Sequence, residues 1–161
     1  MAAERAGTAA DGGESVMENK MTVKFSAIGS NEAFARAVAA AFVAGMDPTV
    51  EELTEIKTGV SEAVSNAIIH GYRENPDGIV EVECRADSER RITIVVRDWG
   101  CGIEAVAKAR EPMFTTGSAE ERSGMGFTVM ESFMDRVEVE SETGKGTAVT
   151  MTKRLDISNE R

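Results

Sequence analysis

The stretch SEAVSNAIIHGY at residues 61–72 carries the signals that decide the fold of this chain. Glu62, Asn66 and His70 recur at every fourth residue, so on a helix their side chains lie along one face. Apolar residues repeat every three or four positions from 53 to 68, which is the period of a helix with one buried stripe. The stretch therefore predicts the second half of a long helix that carries a line of polar side chains.

The ends of this helix are also marked in the sequence. Thr49 and Glu52 stand three residues apart, which is the spacing of a capping box, and Gly71 is a natural end. Another helix is predicted from 30 to about 44, with Ser30 and Asn31 as candidate caps. The remaining predicted elements are strands at 21–27, 79–86, 91–97, 137–141 and 147–153 and helices at about 104–110 and 124–135.

The order of these elements predicts the fold class. Adjacent strand pairs separated by turns are antiparallel, so we expect one mixed, mostly antiparallel sheet with helices on one face, an α+β sandwich of two layers. The domain is expected to span residues 17–153, with 154–161 as a C-terminal tail. Residues 1–16 have no apolar period and are expected to be a disordered tail or a remnant of cloning.

Charge and composition argue against several classes of function. The formal net charge is −10, so the basic face of a general nucleic-acid binder is not expected. Two cysteines and one histidine are too few for a disulfide framework or a zinc site. The longest apolar run, near 37–46, is too short to cross a bilayer, and no signal peptide is recognised. These features predict a cytoplasmic protein that contacts neither nucleic acid nor membrane directly.

Glu62 and Asn66 are candidates for chemistry at a triphosphate. A neutral Asn oxygen is a hard ligand for Mg²⁺ beside phosphates that already supply most of the oxygens. A carboxylate one turn away can accept the proton of an attacking hydroxyl. A single pair of this kind is usually no more than two solvated helix residues, and His70 is expected to be structural. The pair therefore needs support from other motifs.

Two glycine-containing motifs supply that support. In RDWGCGI at 97–103, Asp98 can accept a hydrogen bond from an exocyclic amine, while Gly100 and Gly102 let the backbone turn closely under a flat base. In RSGMGF at 122–127, free amides at a helix start form an anion site that phosphates can approach. The candidate phosphate ligands there are Arg122, Ser123, Gly124, Met125 and Gly126.

Two further stretches carry weaker signals. The polar segment 111–123 is long enough to be a lid, with Thr115 and Thr116 as candidate nucleotide contacts. Thr147 follows the turn at 143–146 and is a candidate contact to the base or its water, although alone this stretch predicts only a hairpin turn. The chain has no GxxxxGK[ST], HRD or DFG motif, which excludes P-loop proteins and eukaryotic-type kinases.

Together, in this order and spacing, the motifs resemble the N, G1, G2 and G3 boxes of the GHKL ATPase superfamily, which includes gyrase, Hsp90, histidine kinases and MutL. The resemblance covers roughly residues 17–153 and is closest to the bacterial anti-sigma-factor serine kinases. The stretches that carry it are 55–57, 61–72 and 122–127. It implies the Bergerat fold, ATP and Mg²⁺ as cofactors, and the activity of a protein-serine kinase.

The resemblance also implies a role for each motif. Glu62 would be the general base, Asn66 the ligand of the Mg²⁺ bound with ATP, and Asp98 the partner of the adenine amine. The substrate would be a serine of an anti-anti-sigma protein. In the ATP-bound state the same surface would hold a sigma factor, with sigma F of sporulation as the best match, and Arg36 would touch both partners. The edge strand at 21–27 would form the seam of a homodimer.

Some positions depart from the family pattern. Gly117 stands in the lid where relatives commonly have a lysine, so one phosphate contact is missing there. Trp99 and Cys101 replace the smaller or acidic residues sometimes found in the G1 box. Arg36 also fits an ordinary solvated helix arginine, and both interpretations stay open.

Three hypotheses of function compete. The first is a serine kinase that also sequesters a sigma factor. The second is a sequestering module switched by nucleotide, which would tolerate Glu62→Ala. The third is the catalytic half of a histidine kinase, which needs a phosphoacceptor histidine on a separate helix, whereas the only histidine here is His70. The spacing of Glu62 and Asn66 and the resemblance favour the first, with a stress-response sigma factor as the alternative partner.

Overall fold

A computed structural model describes residues 16–104 and 126–157 of the chain. These residues form five strands and three helices, the second of which continues into one π-helical turn. In chain order they are β1 (Met17–Ser26), α1 (Ser30–Ala44), α2 (Val50–Asn66) with its π-turn (Ala67–Gly71), β2 (Ile79–Asp87), β3 (Arg91–Asp98), α3 (Gly126–Phe133), β4 (Arg136–Glu142) and β5 (Gly146–Arg154).

The strands form a single sheet in the order β1-β2-β3-β5-β4. All four pairings between neighbouring strands are antiparallel, so in the described residues the sheet is purely antiparallel and not the mixed sheet that was predicted. The predicted α+β class is confirmed. The first strand lies at one edge, as expected, and it begins four residues earlier than the predicted 21–27.

The helices begin for different reasons. At α2 the Thr49 side chain accepts the Glu52 amide and the Glu52 side chain accepts the Thr49 amide, which confirms the predicted capping box. The caps predicted for α1 are wrong. Its N-cap is Gly29, which offers no side-chain acceptor, and the Asn31 side-chain NH₂ instead donates to the Ser26 carbonyl oxygen (3.0 Å).

One face of the sheet carries the core. Side chains alternate along each strand, and those on the helix side pack against the apolar stripes of α1 and α2. Leu155, just beyond β5, is also buried, and the Asp156 amide donates to Glu52 at the start of α2 (2.8 Å). The buried residues that join the sheet to the two helices include Ala35, Ala39, Val43, Ile56, Val60, Val64, Val80, Val82, Ile92, Ile94, Val96, Val149 and Met151.

In the described residues, the other face of the sheet carries an ionic network. Glu83 is only 8% exposed although it lies on this face. Lys20, Arg85 and Arg97 approach its carboxylate at 3.8, 2.8 and 3.2 Å. The long cationic side chains cover the carboxylate and keep this face polar.

The helix predicted at 104–110 lies outside the described residues. The helix predicted at 124–135 is described from Gly126 and ends at Phe133. No helix among the described ranges 16–104 and 126–157 is long and apolar enough to cross a membrane.

Candidate nucleotide-binding site

Asp98 is the last residue of β3, and it lies on the core side of the sheet. The residue is 7% exposed to solvent. Its carboxylate accepts hydrogen bonds from the backbone N–H groups of Gly100 (3.0 Å) and Thr147. Burial raises the pKa of Asp98 to about 6, and the two N–H donors only partly offset that effect. A buried acceptor of this kind is suited to an amine donor such as the exocyclic group of adenine.

The π-turn at the end of α2 closes over Asp98. A Cβ on Gly71 would lie 2.7 Å from the Asp98 carboxyl carbon, and a Cβ on Gly100 would lie 1.9 Å from the Gly71 carbonyl oxygen. That same oxygen accepts the Cys101 N–H (2.9 Å). Only glycine fits at both positions, so the two segments of backbone lie in direct contact beside Asp98.

The loop after β3 is held on its other side by the last hairpin. Gly102 adopts φ 74°, and a Cβ there would lie 2.2 Å from the Glu142 carbonyl oxygen. The Cys101 thiol lies 3.1 Å from the His70 carbonyl oxygen. The glycines predicted in this motif thus fix a loop between α2 and the β4–β5 turn.

Glu62 and Asn66 meet the start of α3. A Cβ on Gly126 would lie 3.1 Å from Asn66 Nδ2 and 3.2 Å from Glu62 Oε2. The structure therefore brings these three predicted residues together, and a Cβ at Gly126 would press closely on the Asn66 and Glu62 side chains. Residues on α2 and α3 that are 60 or more positions apart in sequence share one polar corner.

Glu62 is half-buried in this corner. Burial raises the pKa of Glu62, and the nearby Glu32 carboxylate raises it further. A carboxylate whose pKa is moved toward neutrality is better suited to accept a proton from a hydroxyl than an ordinary solvated glutamate.

Arg36 lies beside the same corner on α1. Its guanidinium is 3.3 Å from Glu32 and 3.2 Å from the Ser61 hydroxyl, which is itself hydrogen-bonded to Glu32. The Arg36 side chain is 41% exposed, so it is tethered at its head but open to solvent. It is thus neither a freely solvated arginine nor a buried one.

Thr147 lies directly opposite Asp98 on β5, and Ser141 on β4 lies directly opposite Thr147. The three polar residues form one row across three strands on the core side of the sheet. The Thr147 N–H bonds the Asp98 carboxylate, so Thr147 adjoins the candidate acceptor for the base. Ser141 was not predicted, although its alternation with Val137 and Val139 in the sequence places it on the core side.

The other predicted contacts lie outside the described residues. They are Thr115, Thr116, Arg122, Ser123, Gly124 and Met125. Their roles stay predictions, as does any effect of Gly117.

The described residues fit an adenine nucleotide at both of its ends. Asp98, beneath Gly71 and Gly100, offers a buried acceptor for the base, and Gly126 leaves a gap beside Asn66 and Glu62 that a Cβ would fill. Comparison with known proteins agrees, because the histidine kinase-like ATPase domain family matches residues 26–153. The chain belongs to this family.

Close relatives of this ATPase domain are known by name. A protein of Bacillus cytotoxicus named anti-sigma F factor is 54% identical over 143 residues, which cover 89% of this chain and 97% of that protein. One of Clostridium acetobutylicum with the same name is 55% identical over 140 residues, covering 87% and 96%. The resemblance found in the sequence is confirmed by these matches.

Solved structures support the fold of this ATPase domain. The RsbU and RsbW domains of a Mycobacterium tuberculosis protein align with a TM-score of 0.62 and 19% identity over 86% of this chain and 32% of that one. The mycobacterial sensor histidine kinase MprB aligns with a TM-score of 0.51 and 19% identity, over 65% and 74%. At this identity the likeness shows the fold alone.

Proposed function

We propose that this chain is an anti-sigma factor that is also an ATP-dependent protein-serine kinase. It sequesters a sigma factor, sigma F of sporulation by the names of its relatives, and phosphorylates a serine of the anti-anti-sigma protein. The observation that carries the catalytic half of the proposal is the corner where Gly126 abuts both Glu62 and Asn66.

Each described residue has a part in holding ATP. Mg·ATP supplies the phosphoryl group that is transferred. Asp98 accepts the adenine amine, and the close backbone of Gly71 and Gly100 gives the base a flat surface. Asn66 offers its side-chain oxygen to Mg²⁺, and the start of α3 at Gly126 offers its N–H end to the phosphates. Arg122, Ser123, Gly124 and Met125 continue this anion site, with Thr115 and Thr116 in the lid.

Glu62 handles the proton in this proposal. The serine hydroxyl of the partner protein is a weak nucleophile until its proton is accepted as the oxygen attacks. The half-burial of Glu62 and the Glu32 carboxylate favour proton uptake at this position. Glu62 Oε2 is also one of the three atoms nearest to a Cβ built on Gly126, at 3.2 Å.

Two protein surfaces complete the proposal. Arg36 on α1 lies next to Ser61, one residue before the proposed base, so a partner that contacts Arg36 lies near the site of transfer. The edge strand β1 is the seam of a homodimer, because no strand among residues 16–104 and 126–157 pairs with its outer edge. A stress-response sigma factor is the alternative partner, and a nucleotide-switched module without phosphotransfer is the alternative function.

Phosphate transfer from labelled Mg·ATP to the serine-bearing anti-anti-sigma protein tests the proposal. Glu62→Ala and Glu62→Gln are expected to lower the rate by about 100-fold or more, since general bases contribute that much, and to leave ATP affinity within about threefold of the parent. Glu51→Ala, an exposed glutamate in the first turn of the same helix, is the matched control and is expected to keep the parent rate.

Three other outcomes are informative. Transfer that survives in Glu62→Gln would remove Glu62 from the catalytic role. Tight ATP binding and sigma capture without any labelled protein would favour the nucleotide-switched module. If Asp98→Asn bound ATP as well as the parent, the adenine assignment would be wrong.

A further inference from the structure

One row of side chains on the core side of the sheet is polar where its neighbours are apolar. The row consists of Asp98 on β3, Thr147 on β5 and Ser141 on β4, each directly opposite the next. The next row along the same strands is made of valines, two of them at most 4% exposed and the third partly buried: Val96, Val149 and Val139. The side chains on the core side of the sheet therefore change from apolar to polar at the end of the strands that borders the candidate site.

The Ser141 hydroxyl has three hydrogen-bond partners. Its hydroxyl oxygen accepts the Ile103 N–H (2.7 Å), and it lies 3.1 Å from the Gly146 carbonyl oxygen and 2.8 Å from Thr147 Oγ1. Ile103 ends the glycine loop that follows Asp98. Ser141 thus joins the loop, the turn before β5 and the Thr147 hydroxyl at one oxygen.

The single proton of the Ser141 hydroxyl constrains Thr147. If Ser141 donates to Gly146, the Thr147 hydroxyl donates back to Ser141 and offers only lone pairs to a ligand beside Asp98. If Ser141 donates to Thr147, the Thr147 proton is free for such a ligand. In both arrangements the Thr147 oxygen is held at 2.8 Å from Ser141, beside a backbone N–H that is already bonded to Asp98.

We propose that Ser141 is a positioning residue that fixes the Thr147 hydroxyl for recognition of the adenine base. Ser141 acts through Thr147 and does not itself touch the nucleotide. The proposal rests on the proposed function, because it takes adenine as the group that Asp98 and Thr147 recognise. It adds a third residue, contributed by the far edge of the sheet, to the two that face the base.

A double-mutant cycle on ATP affinity tests this role. Ser141→Ala is expected to weaken ATP binding about tenfold in the parent chain and at most threefold in a Thr147→Val background, where no hydroxyl is left to orient. The residual loss in that background comes from the Ile103 N–H, which loses its acceptor. Ser141→Thr keeps the hydroxyl and is expected to stay within twofold of the parent.

The controls separate positioning from general stability. Ser88→Ala removes a serine hydroxyl at the opposite end of the sheet, where it bonds Val16, and is expected to leave ATP affinity unchanged. Urea unfolding without nucleotide gives the stability of every variant. A purely structural loss appears in the unfolding curves and lowers ATP affinity by the same factor in both backgrounds.

The outcomes are distinct from those of the proposed function. Equal losses in the parent and in Thr147→Val, or no loss in the parent, would overturn the role of Ser141 while ATP binding by the parent stands. A parent chain that binds no ATP would overturn the proposed function and this inference together. Full affinity in Ser141→Thr combined with the unequal losses supports the inference.

Discussion

At the residue scale, the site is built from side chains whose burial works against stability. Asp98 lies 7% exposed at the end of β3, and its carboxylate receives N–H donors but no cation among the described residues. A buried anion without a counter-charge destabilises a fold at neutral pH. Such a residue is what a binding site needs, because a bound amine donor then satisfies the carboxylate.

Replacement of Asp98 by asparagine is expected to stabilise the nucleotide-free chain above pH 6. Burial raises the pKa of Asp98 to about 6 in the folded chain, from 3.8 when it is unperturbed. The folded state therefore binds the proton more tightly, so the carboxylate destabilises the parent by up to roughly 3 kcal/mol above pH 6, and this penalty disappears as the pH falls toward 4.

Urea unfolding of the parent and Asp98→Asn from pH 4.5 to 8 measures the difference. The asparagine has one acceptor fewer for the two N–H donors. This loss changes the free energy of unfolding of the variant by an amount that does not depend on pH. The gain of the variant over the parent should therefore grow between pH 4.5 and 7, whatever its sign at the acid end. A difference that is flat across this range would mean that Asp98 has an ordinary pKa in the folded chain.

Gly126→Ala separates helix stability from function. Alanine in a helix is favoured over glycine by up to about 1 kcal/mol, but its Cβ would press on Asn66 and Glu62 at 3.1–3.2 Å. We expect the free energy of unfolding to change by less than about 1 kcal/mol and the affinity for Mg·ATP to fall about tenfold.

Calorimetric titration with Mg·ATP checks the effect of Gly126→Ala. Gly29→Ala, where a Cβ meets no heavy atom of the described residues within 4 Å, is the matched control and should keep the parent affinity. If both variants bound Mg·ATP equally well, Gly126 would not adjoin the phosphates.

At the element scale, local signals predicted most elements, whereas long-range approaches were not predictable. The capping box of α2 was found because Thr49 and Glu52 are three residues apart and satisfy each other. The caps of α1 were wrong because Asn31 serves the Ser26 carbonyl of the preceding strand instead. The π-turn at 67–71 has no periodic signal of its own, since its apolar residues also fit an α-helix.

The candidate site shows the same division. Glu62, Asn66, Asp98 and the glycines were identified from motif spacing and resemblance. Their mutual approach depends on contacts between distant segments, such as that of Gly71 with Gly100, which a single sequence does not display. Ser141 was overlooked because a serine at the end of a strand reads locally as part of the turn that follows it.

The capping box of α2 gives a prediction for the element that carries Glu62. Thr49→Ala removes the acceptor of the Glu52 amide (3.0 Å) and is expected to lower the free energy of unfolding by about 1 kcal/mol. Thr54→Ala, an exposed threonine one turn into the same helix, should instead be neutral or slightly stabilising, because alanine has the higher helix propensity. Chemical denaturation compares the two, and equal effects would mean that the cap contributes nothing beyond propensity.

At the scale of the whole molecule, charge sets how copies of the chain meet. The sequence holds 28 acidic and 18 basic residues, a net charge of −10. The cations on the exposed side of β1, Lys20 and Lys24, are paired within the chain with Glu83 and Glu81. Two copies that meet along β1 are both negatively charged and therefore repel each other. The lysines of β1 already pair with glutamates of their own chain and do not offset this repulsion.

The homodimer proposed through β1 is accordingly expected to tighten as salt is added. Screening shortens the range of the repulsion from about 10 Å at 0.1 M ionic strength to about 3 Å at 1 M, while main-chain pairing along the strand edge is largely unaffected. Sedimentation equilibrium in 50 and 500 mM NaCl should show a dissociation constant at least threefold lower at high salt.

Lys20→Glu makes each copy more negative by two units, four across the seam, and should weaken the dimer more than Lys57→Glu, which makes the same change of charge on α2. Equal weakening by the two variants would mean that the seam lies away from β1 and that only total charge matters. A dimer that loosens with salt would mean that ion pairs across the seam, rather than strand pairing, hold it. A chain that stays monomeric at every concentration would remove the dimer from the proposed function and leave the nucleotide site, which lies within one chain, unaffected.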